Sequence, residues 1–147
     1  MLTDDDVHPS DFSPASRAAF AKAIELAKQN RAQLMVTHVI VSPVMAYADG
    51  YMSDQTYKDM ETAARRYGEK HLGALVAKAR KAGVRARALL LEGVVADRIV
   101  RAAKRQRADV IVIGTHGRTG LARFVLGSVA DRVVSQAGCP VLTVRGR

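Results

Sequence analysis

Apolar residues recur along this chain with two periods, and the periods alternate. Phe20, Ala23, Ile24 and Ala27 fall at helical spacing between Pro14 and about Asn30. Ser13 before Pro14 supplies an N-cap hydroxyl and a proline at the first helical position. Leu34 to Val41 is nearly continuous apolar, the pattern of a strand covered on both faces. A loop from Ser42 to about Met52 follows, then a long helical pattern from roughly Asp54 to Ala82, closed by Gly83. Gly68 and Gly73 lie inside that pattern and predict a kink or a break. Val84 to Leu91 reads as a strand, and Val94 to Gln106 as a helix with Val95, Ile99 and Ala103 on its inner face. Val110 to Ile113 is a strand, Ser128 to Ala137 a helix ended by Gly138, and Val141 to Val144 a last strand. Short apolar strands alternating with amphipathic helices predict an α/β fold, a parallel sheet with helices on both faces. No repeat, low-complexity tract or linker divides the chain, so residues 1–147 read as one domain.

One stretch breaks the alternation. A strand should precede the helix at Pro14, yet residues 3–8 read Thr-Asp-Asp-Asp-Val-His. An unpaired charge in a strand buried on both faces costs several kcal/mol. The first strand is therefore expected to be degraded: absent, displaced or much shortened.

Composition narrows the setting. No apolar run approaches a membrane span, and the acidic N-terminus lacks the apolar segment of a secretory signal. A lone cysteine, Cys139, excludes an intramolecular disulfide and suits the reducing cytoplasm; it reads as a small buried hydrophobe. The formal charge of +9 favours acidic partners such as nucleotides, nucleic acid or an anionic membrane surface. The basic residues are dispersed over several helices, however, and no aromatic platform for bases is evident. Neither a membrane nor a nucleic acid is expected as partner.

The chemistry concentrates between Val110 and Val129, VIVIGTHGRTGLARFVLGSV. A strand ends in Gly114, a second glycine stands at Gly117, and Gly127-Ser128 opens the next helix. Glycines let the backbone approach an anion, and the free N–H groups of a helix N-terminus point at it. Glycines in a loop are weak evidence singly; the spacing G-x2-G-x9-G-S between strand and helix is much less common. His116 has no carboxylate or cysteine partner nearby in sequence and reads as a loop residue giving one hydrogen bond. Arg118 stands between a phosphate contact and a solvated loop charge. His38 reads as a satisfied structural histidine within its strand, and His71 as solvent-facing. Leu121, Phe124, Val125 and Leu126 form an apolar group inside the x9 insert, packed on the core or serving as a lid over the phosphates.

These pieces resemble the nucleotide-binding branch of the universal stress protein family. The resemblance runs from Pro9 to Val144 and is carried by GTHGRTGLARFVLGSVADRVV (Gly114 to Val134), SDFSPAS (Ser10 to Ser16), THVI (Thr37 to Ile40) and CPVLTV (Cys139 to Val144). It implies a doubly wound, open parallel five-stranded sheet of order 3-2-1-4-5, with ligand at the carboxyl ends of the strands. It further implies that Gly114, Gly117, Gly127, Ser128 and the Val129 amide cradle phosphate and ribose. Asp11 matches the aspartate that meets the nucleoside, and Val39 a position whose backbone meets the adenine edge. The implied ligand is ATP or AMP, with Mg2+ or Mn2+ as an accessory ion of ATP. The implied assembly is a homodimer through the strand Val141 to Val144, whose apolar edge favours pairing.

The expected function is that of an adenine-nucleotide-binding, stress-response regulatory protein, acting through occupancy and through dimer or partner contacts. The alternative is a slow ATPase or an adenylating enzyme on the same fold. Hydrolysis needs an oriented water and usually a metal held by carboxylates, and the chain has no G-x4-G-K-[ST] motif. A basic nucleic-acid-binding protein is the remaining class.

Overall fold

The computed structural model describes residues 5–116 and 126–146. In chain order the elements are β1 (Asp5–Pro9), α1 (Pro14–Asn30), β2 (Gln33–Ile40), α2 (Val44–Ala48) and α3 (Asp54–Lys81), then β3 (Ala86–Glu92), α4 (Val95–Arg105), β4 (Val110–Gly114), α5 (Ser128–Gln136) and β5 (Val141–Val144). All strand pairs are parallel, in the order β3-β2-β1-β4-β5. The order reverses between β1 and β4, so a crevice opens at their carboxyl ends.

The sheet carries a core on each face. Leu34, Val36 and Val112 meet Phe20 and Ala23 of α1 and Leu72 and Val76 of α3. On the other face Val7, Met35, Ile111 and Ile113 meet Ala96 and Ile99 of α4 and Ala130 and Val133 of α5. Alternate strand residues thus serve opposite layers, as the two-residue period of a strand requires. Cys139 is half-buried against the second core, and burial pushes its thiol up.

The first strand is present and central, which corrects the expectation that it is degraded. β1 pairs with β2 from Asp5 to Pro9 and with β4 at Asp6 and Val7. Asp6 is 1% exposed and His8 fully buried, so the desolvation argument should have excluded them. Shifted titration eases the conflict for both groups. Burial, with Asp109 and Asp5 adding repulsion, pushes the Asp6 carboxyl up to about 6. Burial lowers His8 to about 4, against the opposing pull of the Val112 carbonyl and the Asp11 charge. His8 is thus a neutral imidazole whose Nδ1–H donates to the Val112 carbonyl at 2.9 Å. The strand thus carries a neutral imidazole and a carboxyl that holds its proton up to about pH 6, which a reading of formal charges does not show.

Two further expectations are corrected. No break occurs in α3, which runs for 28 residues through Gly68 and Gly73. At Gly68 the helix lies so close to the sheet that a Cβ would stand 2.7 Å from Leu90 Cδ1 and 3.3 Å from His38 Cδ2. Glycine there serves close packing, and the twenty-eight-residue ladder carries its propensity cost. The stretch expected as loop from Ser42 to Met52 contains the short helix α2.

Candidate functional site

α5 begins at the carboxyl end of the sheet, where β4 ends. Gly127 is its N-cap residue, in extended conformation, with its N–H bonded to the Thr115 carbonyl at 2.6 Å. A Cβ at Gly127 would stand 2.8 Å from that same carbonyl oxygen, so backbone contact itself demands glycine. Gly127 brings no side chain to cap the helix, and Ser128 is exposed. The first turn of α5, with the partial positive charge of its N–H groups, thus lacks an N-cap side chain and has an exposed hydroxyl beside it.

That helix start forms one wall of a cleft of about 500 Å3. Ser128, Val129 and Arg132 line it from α5, Val41 and Ser42 from the end of β2, and Gly93 to Ala96 from the start of α4. Val41 is 69% exposed and Val94 54%, two apolar side chains held at the walls of a concavity open to water. A flat apolar ligand portion would bury them, while the α5 terminus suits an anion. Arg132 adds a guanidinium, 3.4 Å from Asp97 Oδ1 of α4.

Asp11 lies in the turn between β1 and α1. Its Oδ1 accepts from Ser13 N–H at 2.9 Å, and Ser13 Oγ accepts from Ser16 N–H, so a turn and a helix cap set the carboxylate in sequence. Between them Phe12 takes a left-handed φ of 64°, unusual for an aromatic residue. Its ring stacks on His38 at 4.3 Å and lies 5.0 Å from His71 and 5.7 Å from Tyr67. His38 Nδ1–H donates to the Ser10 carbonyl, the satisfied structural role expected of it. His71 is half-buried in this ring cluster rather than solvent-facing. Sequence reasoning missed the cluster because its members come from a loop, a strand and a helix far apart in the chain.

Ser128 and Val129 stand in the cleft wall and Gly127 directly before them; Val39 is buried two residues before Val41. Gly114 closes β4, its Cα facing Ala15 at the start of α1, and His116 Nδ1 is 2.8 Å from Thr115 Oγ1. Asp11, Gly114 and His116 belong to neighbouring strand ends rather than to the cleft lining. Gly117 and Arg118 lie outside the described residues, as do Leu121, Phe124 and Val125; Leu126 packs against the second core. Val41, Val94 and Arg132 were not anticipated. The signal for Val41 was hidden, because it reads as the last residue of a buried strand. Among the described residues no three or more His, Cys, Asp or Glu side chains form a metal-holding group, and no helix is long and apolar enough to cross a membrane.

Residues 7–145 match the model of the Universal stress protein family. A universal stress protein of Methanocaldococcus jannaschii, MJ0531, is 38% identical over 140 residues, covering 95% of this chain and 80% of its own. The universal stress protein UspA of Lactobacillus plantarum has the same fold, with a TM-score of 0.83 at 22% identity and 99% coverage of both chains. A family protein of Arabidopsis thaliana solved with AMP bound superposes with a TM-score of 0.69 at 26% identity, covering 97% of this chain and 92% of that one. The Archaeoglobus fulgidus universal stress protein in complex with dAMP gives 0.68 at 25% identity, covering 99% and 100%.

Proposed function

The chain belongs to the universal stress protein family, and from that premise we propose that it is an adenine-nucleotide-binding regulatory protein. The observation that carries the reading is the start of α5. An exposed Ser128 and first-turn N–H groups without a side-chain cap open into a cleft whose other wall is apolar. The phosphates of ATP or AMP take the α5 terminus, with Gly127, Ser128 and the Val129 amide as donors and spacers. Gly114, Gly117, His116 and Arg118 complete the phosphate side from the β4 loop. The adenosine lies toward Val39 and Val41 at the end of β2, and the Asp11 carboxylate receives the ribose hydroxyls. AMP and dAMP in the Arabidopsis and Archaeoglobus proteins support the ligand class. Mg2+ or Mn2+ enters with the phosphates of ATP. Binding without turnover is the activity, and occupancy alters contacts with partners or with a second copy.

The second copy adds through β5. That strand is an edge of the sheet, and Leu142 is 38% exposed on it. An isologous homodimer covers this edge.

Calorimetric titration with ATP, ADP and AMP tests the reading. Saturable binding is expected, weakened about tenfold by Ser128→Ala through loss of one charge-assisted hydrogen bond. It is abolished by Gly117→Val, while both variants keep the wild-type melting transition. Binding of equal strength in wild type and both variants would remove the site assignment; absence of binding in the wild type would remove the function.

A further inference from the structure

We propose that the end of the molecule opposite the nucleotide cleft docks the phosphate backbone of a nucleic-acid duplex. Along the chain the basic residues are dispersed over separate helices. The fold collects them. In a parallel α/β sheet every connecting helix ends where the next strand begins, so the C-termini of α1, α3 and α4 stand at the starts of β2, β3 and β4, at one end of the sheet. Lys78 and Lys81 end α3, Lys104 and Arg105 end α4, and Arg31 caps α1; all five are exposed, as is Arg85 before β3.

Side-chain contacts tie these segments into one patch. Arg85 Nη2 donates to the Arg31 carbonyl at 3.2 Å, joining the start of β3 to the end of α1. Arg87 Nη2 donates to Gln106 Oε1 at 2.6 Å, joining it to the end of α4. Arg80 Nε and Nη2 both donate to the Ala86 carbonyl. Each acceptor is neutral, so hydrogen bonding fixes the guanidinium groups without cancelling their charge. Ion pairs of Lys22 with Glu25, of Arg65 with Glu61 and Glu92, and of Arg132 with Asp97 lie elsewhere. Within segments 28–33, 78–87 and 104–109 the single acidic residue is Asp109; at the same end of the sheet Asp5 and the buried Asp6 open β1, between β2 and β4, so these carboxyl groups stand away from the edge strand β3.

A bland account exists for part of this: cations near helix C-termini complement the dipole. It explains Lys78, Lys81, Lys104 and Arg105 but not Arg85 and Arg87, which stand on the edge strand and its approach. The chemistry of the patch chooses among polyanions. The same three segments contain no aromatic residue, so bases have nothing to stack on and a single strand is disfavoured. They also contain no large exposed apolar side chain to enter a lipid surface. The cations stand on both sides of the sheet, α1 and α3 on one face and α4 on the other. A helix layer about 10 Å across on each face puts them about 20 Å apart, enough to straddle the two phosphate ridges of a groove about 12 Å wide. Arginine forks in the patch suit phosphate oxygens.

The test is fluorescence anisotropy of a labelled mixed-sequence duplex of about 20 base pairs, titrated with the full chain over a range of salt. Two variants each remove one side of the patch, Lys78→Gln with Lys81→Gln, and Lys104→Gln with Arg105→Gln. A third, Lys58→Gln with Lys70→Gln, removes the same charge from exposed positions elsewhere on α3. Wild-type affinity should fall steeply with salt, and each patch variant should flatten the log–log slope by about 2 and weaken binding about tenfold near 0.1 M salt. The third variant should match wild type. Equal weakening by all three would overturn the proposal in favour of net charge alone. Stronger retention on anionic phospholipid vesicles or on polyglutamate than on the duplex would overturn it in favour of those partners. No duplex binding by wild type near 0.1 M salt would overturn it outright.

Discussion

At the scale of single residues the account turns on Asp6 and His8, adjacent inward positions of the central strand. The unfolded chain releases the Asp6 proton near the ordinary 3.8, whereas the folded chain keeps it to about 6. Stability from this group therefore falls as pH rises through that window, by about 3 kcal/mol in full. His8 works in the opposite sense. The unfolded chain takes up a proton below 6.5, which the folded chain refuses down to about 4, so stability falls as pH drops. Between about pH 4 and 6 the two contributions offset each other. Urea unfolding of Asp6→Asn should show stability rising with pH by up to about 3 kcal/mol relative to wild type across that window. Parallel profiles for variant and wild type would remove the protonated carboxyl from the account. The sequence showed three aspartates and a formal charge; it could not show that tertiary burial moves the titration of Asp6 up and of His8 down.

At the scale of elements, what depends on local chemistry was legible and what depends on close approach was not. The Ser13-Pro14 start of α1 stands where the cap hydroxyl and proline put it, and β5 spans the residues its apolar run marks. The two glycines of α3 were misread, because propensity counts both alike and the fold does not. Gly68 faces Leu90 and His38, while a Cβ at Gly73 would meet nothing within 4 Å. Gly73→Ala should therefore stabilise the protein by about 0.5–1 kcal/mol. Gly68→Val should destabilise it, since a branched side chain must displace Leu90 from the sheet. Chemical denaturation of both variants checks the pair, and equal shifts of the same sign would contradict this reading. The two sheet edges differ in the same physical way. Arg80 covers the outward Ala86 carbonyl of β3, whereas β5 leaves Leu142 and Thr143 exposed. The proposed pairing of two copies is therefore assigned to the β5 edge. Sedimentation should give a dimer for wild type and a monomer for Leu142→Lys; a monomeric wild type at tens of micromolar would refute the β5 interface.

At the scale of the whole molecule the parallel sheet has two unlike ends. Its carboxyl end gathers the turn of Asp11, the exposed Val41 and the N-terminus of α5; its amino end gathers the cations of three helix termini. The strand order came from the resemblance to a family and the motif residues from their spacing, since periodicity alone cannot order strands. The cleft walls were beyond reach, because Val41, Val94 and Arg132 meet only in the folded chain. The central claim is that adenine nucleotide sits at the start of α5. It is tested most directly by backbone amide chemical shifts recorded while AMP is added. Saturable shifts should appear at Gly127, Ser128 and Val129 with the same affinity as shifts at Asp11 and Val39. Saturation that leaves the α5 amides unmoved, or shifts confined to the basic end of the sheet, would contradict it.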